Sequence, residues 1–376
     1  MRGSATRMGK IGAVGAVAAS AALLLAACGG SSSAPAALDP NADLTKQSLT
    51  VSNWAGYYPE DLPAKFQSAV GAPLTIANHA TNEEIMGKLT AGGDSGIDVA
   101  FVSGQYAQAL NDAGLLEPIQ PDLIANMKNL APEATQLAFD VGNAYSVPYT
   151  WGTTGICYRS DLVSEAPDSW NDVLQPAEEN KGKITALATE RWLLLPALKS
   201  LGYSINTTDD AQLQEAKDLL IAAKPSLLAY DDTTYFSRLV SGEATMSVAW
   251  DGWCNYGIAE DPNIKFVVPK EGSDLWSDTM VILKTSKNKE AAHAFINFIL
   301  DPANHAWVAE NILYKVPNKA AMDQVGAALA AAYPNMGMSA ADLLKEEVVV
   351  DVGVGDVWNA IAIGVRECRI TREGEG

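Results

Sequence analysis

The chain is poor in the residues that metals and nucleophilic chemistry need. It has three histidines (His79, His293, His305) and four cysteines (Cys28, Cys157, Cys254, Cys368) in 376 residues. No Cys-x-x-Cys occurs and the histidines lack ligand spacing, so no metal site is expected. His293 and His305 fall on helical patterns as surface or boundary residues. Basic side chains are also scarce: 26 Lys and Arg stand against 45 Asp and Glu, a net charge of −19. That balance argues against a nucleic-acid partner, whose phosphates need a basic surface. There is no Gly-x-Ser-x-Gly elbow, no Gly-x-x-x-x-Gly-Lys-Ser/Thr loop and no dinucleotide Gly-x-Gly-x-x-Gly between a strand and a helix. Neither a catalytic residue nor a cofactor is therefore expected. After Ala27 no apolar run approaches ~18 residues, so no later membrane span is expected.

The N-terminus carries an address instead. Arg2, Arg7 and Lys10 precede an uncharged Ala/Val/Leu run from Ile11 to Ala27, which closes on Leu25-Ala26-Ala27-Cys28. A basic start, an apolar middle and small residues at the end make an export signal. The run is short for a span of ~20 residues and is diluted by Gly12, Gly15 and Ser20. Its Leu-Ala-Ala-Cys ending resembles the bacterial lipobox, which implies that Cys28 is acylated and heads the mature chain. Such an anchor holds a domain at a membrane through ~0.8 kcal/mol per buried methylene. Residues 28–46, rich in Gly, Ser, Ala and Pro, read as a flexible tether. Cleavage leaves Cys157, Cys254 and Cys368, a set that permits at most one bridge. Cys157 and Cys254 are the candidate pair, either joined or as two buried thiols on apolar strands.

From Leu49 onward, short β-branched runs alternate with amphipathic segments. Leu49–Ser52 and Leu74–Ala77 read as strands, and between them Leu62, Phe66 and Val70 mark one face of a helix that stops at Gly71. Thr81-x-x-Glu84 is a capping box opening a helix that carries Ile85 and Leu89. Ile97-Asp-Val-Ala-Phe-Val102 is a near-continuous apolar strand, as in a sheet covered on both faces. The pattern recurs with strands at 183–187, 227–230, 244–250 and 264–268. Helices are expected at 190–201 (kinked or restarted at Pro196), 208–223 and 288–300. In the last, Ala292, Phe295, Ile296 and Ile299 point inward, and Asp301-Pro302 breaks it. Asp232 reads as the cap of a helix at Thr233-Thr234-Tyr235. This order predicts an α/β protein of two open units, each a mostly parallel sheet flanked by helices.

Open parallel sheets bind ligands beyond the carboxyl ends of their strands, and aromatic and acidic residues collect there. Trp54 and Tyr57 follow the first strand; Ser103, Gln105 and Tyr106 follow the third. Trp250, Asp251 and Trp253 follow the strand at 244–250, and Trp276 and Asp278 lie in the link before Thr279-Met-Val-Ile-Leu283. Each tryptophan alone reads first as core packing or a domain interface; their recurrence at strand ends points to a site. An aromatic face beside a carboxylate suits a cation, with ~0.5–2 kcal/mol of cation–π attraction plus charge-assisted hydrogen bonds. A small cationic ligand is the expectation.

Five motifs then carry a resemblance. Val51-Ser-Asn-Trp54-Ala-Gly-Tyr57-Tyr-Pro59, Tyr145-Ser-Val-Pro148-Tyr149-Thr-Trp151-Gly152, Ser169-Trp170-x-x-Val173, Leu201-Gly-Tyr-Ser204 and Leu275-Trp276-Ser-Asp278 occur in that order. Together they resemble the bacterial spermidine/putrescine-binding proteins, the extracytoplasmic receptors of ABC importers. The resemblance implies a two-lobed periplasmic-binding-protein fold with a cleft between lobes. It places residues 47–155 and 276–322 in lobe 1, 156–275 and 323–365 in lobe 2, and 366–376 in a tail, with 1–27 as the signal. It implies a monomer beside an ABC permease on the outer face of the cytoplasmic membrane. For the site it implies Trp54, Tyr57, Ser103, Trp250, Trp276, Asp278 and Tyr314. Trp250 and Trp276 would sandwich a methylene chain and Asp278 would bind an ammonium.

The chain also departs from that pattern. Where the family carries two acids for a terminal amine, this sequence aligns Thr189 and Trp192, with Glu190 adjacent as a substitute. Gln105 stands for an aromatic residue, Ala55 for a hydroxyl residue and Val349 for a glutamine. Losing two carboxylates fits a shorter, singly charged or different cationic ligand. Two other readings share the pattern: the same lobes around a neutral ligand such as a sugar, and a lipid-anchored hydrolase. The missing nucleophile–base pairs oppose the second.

Overall fold

The computed structural model describes residues 38–353 and 355–367. Cys28, the signal, most of the tether, Cys368 and the tail beyond 367 lie outside them. The strands are β1 (Leu49–Trp54), β2 (Leu74–His79), β3 (Val99–Ser103), β4 (Val147–Gly152), β5 (Thr154–Arg159), β6 (Ile184–Ala186), β7 (Leu227–Tyr230), β8 (Met246–Trp250), β9 (Ile264–Val267), β10 (Asp274–Ile282) and β11 (Glu347–Val348). They form two sheets. The first runs β11-β10-β3-β1-β2 with β4 also on β10; the second runs β7-β6-β8-β5-β9.

The sheets are mixed rather than mostly parallel. β1 pairs parallel with β2 and β3, and β6 with β7 and β8. The strands that cross between sheets enter antiparallel, β10 against β3 and β4, β5 against β8 and β9. The chain crosses first where β4 leads directly into β5, and again from β9 to β10. At this hinge the Thr154 N–H donates to Asp274 Oδ1 at 2.8 Å and the Ser273 hydroxyl to the Thr154 carbonyl at 2.6 Å. The segment after 322 serves both sheets. β11 adds to β10, while the helix after it packs on the second lobe.

The helices are α1 (Leu62–Val70), α2 (Asn82–Thr90), α3 (Gly104–Asp112), α4 (Asn171–Leu174), α5 (Glu190–Ser200), α6 (Asp210–Ala223), α7 (Tyr235–Ser241), α8 (Asp251–Glu260), α9 (Lys289–Ile299), α10 (Pro302–Ile312), α11 (Lys319–Ala332), α12 (Ala340–Leu343) and α13 (Gly355–Glu367). Local chemistry accounts for several ends. Gly71 closes α1 at φ 89°, a left-handed conformation that costs glycine little. Thr81 Oγ1 accepts the Glu84 N–H at 3.1 Å, and Glu84 reaches back to the Ala80 N–H at 2.7 Å. Asp301-Pro302 ends one helix and starts the next, with Asp301 capping α10. The inward face of α9 is buried, and Phe295 meets Phe66 edge-on at 5.4 Å.

Other expectations need correction. α5 runs unbroken through Pro196, held by neighbours that bury Arg191 to Leu198. His293 and His305 are fully buried rather than at the surface. Backbone groups pair with both rings: His293 Nδ1 donates to the Lys289 carbonyl at 2.7 Å and Nε2 accepts the Gln120 N–H at 3.1 Å. His305 Nε2 donates to the Tyr149 carbonyl at 2.9 Å. Asp231, not Asp232, holds the turn before α7, accepting the Thr233 and Thr234 N–H groups and pairing with Arg238. Asp232 instead accepts the Ala188 N–H at 2.6 Å. Cys254 lies on α8 and is joined to Cys157 on β5, with Cα atoms 5.8 Å apart. The closing helix α13 was not legible as one, and Arg366, assigned to the tail, belongs to it.

Candidate ligand-binding cleft

The strand ends converge where the two sheets meet. Asp278 on β10 lies opposite Ser103 at the end of β3. Its Oδ1 accepts the Ser103 hydroxyl at 2.6 Å and its Oδ2 accepts the Tyr57 hydroxyl at 2.8 Å. Thr150 on β4 shares the Tyr57 hydroxyl at 2.5 Å. Burial raises the Asp278 carboxyl above the usual aspartate range, and the two hydroxyl donors only partly oppose this. The residue as a whole is half-buried.

Aromatic rings cluster around its partner Tyr57. Tyr57 meets Trp54 at 5.6 Å, Tyr149 at 5.7 Å and Tyr314 at 5.0 Å, all edge-on. Trp276 meets Tyr314 at 5.8 Å. Two glycines make room for this wall. A Cβ on Gly152 would overlap the Trp276 ring and the Asp251 carboxylate, and one on Gly252 would overlap the Tyr314 ring. Tyr57, Trp276 and Tyr314 are buried and Trp54 half-buried.

The remaining expected residues divide. Trp192 and Trp250 pair edge-on at 5.4 Å, and Trp250 makes no ring contact with Trp276 among the described residues. The Trp192 indole N–H donates to Asp274 Oδ2 at 2.7 Å, so it is committed to the hinge. Asp251 is buried at the start of α8 and accepts the Gly252 N–H at 2.9 Å. Burial pushes its carboxyl up while the buried Lys315 ammonium opposes that rise; burial likewise pushes Lys315 down. Gln105 follows Ser103 on α3 and is buried. Glu190 opens α5, where it accepts the Tyr106 hydroxyl at 3.3 Å. Among the described residues no ion pair uses Asp278, Asp274, Glu83 or Glu190. Nor do they contain a cluster of ligating side chains that could hold a metal ion.

The sequence profile of the bacterial extracellular solute-binding proteins matches residues 62–337, well over half of the chain. The chain belongs to that family. It is 33% identical over 270 residues to the spermidine/putrescine-binding periplasmic protein of Salmonella typhimurium, covering 72% of this chain and 77% of the relative. It is also similar to the solved structure of the spermidine/putrescine ABC transporter substrate-binding protein PotD of Streptococcus pneumoniae. There the TM-score is 0.74 at 31% identity, over 85% of this chain and 98% of that one. The Tp0655 lipoprotein of Treponema pallidum is similar too, with a TM-score of 0.76 at 27% identity over 85% and 99% of the two chains. The two-lobed α/β fold expected from the motifs is therefore the fold of this solute-binding protein.

Several cleft residues of this solute-binding chain escaped sequence reasoning. Thr150 sits inside a quoted motif, yet nothing local marks it as the partner of Tyr57. Asp274 opens β10 and is buried, which no local pattern marks. Nothing in the sequence marks Glu83 or Lys315, and Lys315 is 5% exposed.

Proposed function

We propose that this protein is the receptor of an ABC importer, capturing a polyamine-like cationic amine between its lobes and presenting it to the permease. The Asp278 carboxylate carries this reading. It belongs to a half-buried residue, makes no ion pair among the described residues, and is bonded by Ser103 and by Tyr57, whose ring meets those of Trp54 and Tyr314, with Trp276 beside Tyr314. An ammonium there gains a charge-assisted hydrogen bond and cation–π attraction, and restores the charged form that burial disfavours. The relatives named as spermidine/putrescine-binding proteins support the ligand class, and their naming as binding proteins supports action by capture and release without a chemical step.

The lobes take residues 47–155 with 276–322, and 156–275 with 323–365, around the Thr154–Asp274 hinge. Cys28 anchors the mature monomer to the outer face of the membrane, a reading that the lipoprotein relative supports. Thermal unfolding with putrescine, cadaverine, spermidine and agmatine tests the ligand class. A ligand at a hundredfold excess over Kd stabilises by ~2.7 kcal/mol, seen as a raised Tm. Asp278→Ala should abolish the shift. If no amine raises the Tm of the unsubstituted protein, the amine reading fails.

A further inference from the structure

Helix α10 ends on a residue whose backbone suits glycine better. Leu313 follows it at φ 54° and ψ 31°, the left-handed region that glycine enters freely and a β-carbon opposes. The last carbonyls of a helix have no partner within it. Two of them are taken here by α8, which packs on β5, β8 and β9 of the second sheet, whereas α10 packs on α9 and α11. The Asn255 side-chain amide donates to the Leu313 carbonyl at 2.7 Å, and the Tyr256 hydroxyl donates to the Ile312 carbonyl at 2.9 Å. Asn255 is fully buried, and its amide oxygen has no partner among the described residues. Its one bond is the grip on Leu313.

Asn255 and Tyr256 stand three and four residues after Gly252, so the three share one face of α8. Tyr314 lies against that face. A Cβ on Gly252 would overlap its ring, and the Tyr256 ring is 6.4 Å away. The same ring meets Tyr57, whose hydroxyl holds Asp278, at 5.0 Å, and Trp276 at 5.8 Å. Just beyond Tyr314 the chain is tied to β4, where the Trp151 N–H donates to the Lys315 carbonyl at 3.1 Å. Tyr314 is therefore set between a fixed strand and a residue whose backbone needs an outside hold.

We propose that Asn255 and Tyr256 are positioning residues for the ligand: by holding the Leu313 and Ile312 carbonyls they keep Leu313 left-handed and aim the Tyr314 ring into the cleft. This rests on the amine reading above. Both act through Tyr314 rather than by touching the ligand, so a ring carried by one lobe is placed by side chains of the other. Glycine at 313 adopts the same backbone without that hold. Its introduction therefore separates positioning from simple packing of α8 against α10.

Calorimetric titration with putrescine, cadaverine, spermidine and agmatine, beside near-ultraviolet circular dichroism of the free protein, tests this. Asn255→Leu keeps the size of the side chain and removes both the donor and the orphaned oxygen. It should weaken the tightest of these amines about tenfold and alter the spectrum of the packed rings. Leu313→Gly alone should bind like the parent, and added to Asn255→Leu it should restore both affinity and spectrum. Tyr256→Phe should weaken binding about threefold and be rescued in the same way, which keeps the test open if Asn255→Leu does not fold. Affinity unchanged by both substitutions, or lost and not restored by Leu313→Gly, overturns the positioning role and leaves the amine reading standing. If the unsubstituted protein binds none of the amines, that reading fails, and the presence or absence of spectral rescue decides whether these residues place Tyr314.

Discussion

Asp278 and Ser103 face each other directly in the antiparallel pairing of β10 with β3, and the serine hydroxyl reaches the carboxylate at 2.6 Å. The register of two strands therefore places the acid of the cleft and sets one of its oxygens. Ser103→Ala leaves Tyr57 as the other donor and removes a hydrogen bond to a charged group, worth ~1.5–3 kcal/mol. Amine affinity should fall about tenfold, and the unliganded Tm should drop as well because the bond is already made without ligand. Titration calorimetry beside a melting curve separates the two effects, and an unchanged affinity argues against Asp278 as the ammonium site.

The pH dependence of binding follows from the same carboxyl. An ammonium needs the charged form, and burial holds the free protein's Asp278 above the ordinary value of 3.8. Acid therefore neutralises it where an exposed aspartate stays charged. Affinity should fall as the pH drops toward that raised value and stay level on the neutral side. His79, which touches Trp54 at 4.7 Å, is held down to about 4 by burial and stays neutral near pH 6.5. Amine affinity that rises on acidification would refute the assignment.

Gly152 lets the Trp276 ring and the Asp251 carboxylate lie against the backbone at the β4–β5 crossing. Gly152→Ala places a methyl group within both. Overpacking of this kind costs ~1–3 kcal/mol, and here it also displaces a wall of the cleft. Both Tm and amine affinity should drop. A variant that binds like the parent would show that Trp276 is not part of the ligand wall.

The Cys157–Cys254 bridge closes a 97-residue separation between β5 and α8. Constraining a loop of that size in the unfolded chain stabilises by about 4.7 kcal/mol. The double Cys→Ser variant should melt well below the parent, and reductant should lower the parent's Tm toward it. Equal melting temperatures with and without reductant would show the thiols to be free.

Cys28→Ser tests the anchor. The unsubstituted protein should fractionate with membranes and carry an acylated N-terminal cysteine by mass spectrometry. The variant should appear in the soluble fraction with its folded domain intact. Membrane fractionation that survives the substitution would assign the attachment to another segment.

Features that depend on near neighbours in sequence were legible. The apolar run of β3, the buried stripe of α9, the Thr81–Glu84 box and the glycine stop at Gly71 all fall where periodicity and capping place them. Asp278, Tyr57 and Ser103 could be named as candidates because they adjoin strands in the sequence pattern and match positions of a family's site. The histidines show the limit. Their helices look half-exposed in isolation, and only the Gln120 and Tyr149 backbones that cover them explain their burial.

By itself the sequence determined the class of the molecule: acidic, α/β, without catalytic motifs, with strand-end aromatics suited to a cation. Those traits reside in composition and short-range periodicity, which each segment carries alone. The tertiary structure decided which charges meet. Trp192 lies 82 residues from Asp274 in sequence and Tyr106 lies 84 from Glu190, yet both pairs are in contact. Such partners are chosen by strand register and by how two lobes cross at a hinge. A carboxylate's free energy depends on whatever surrounds it in space, so the chemistry of the cleft becomes fixed only once the chain has folded.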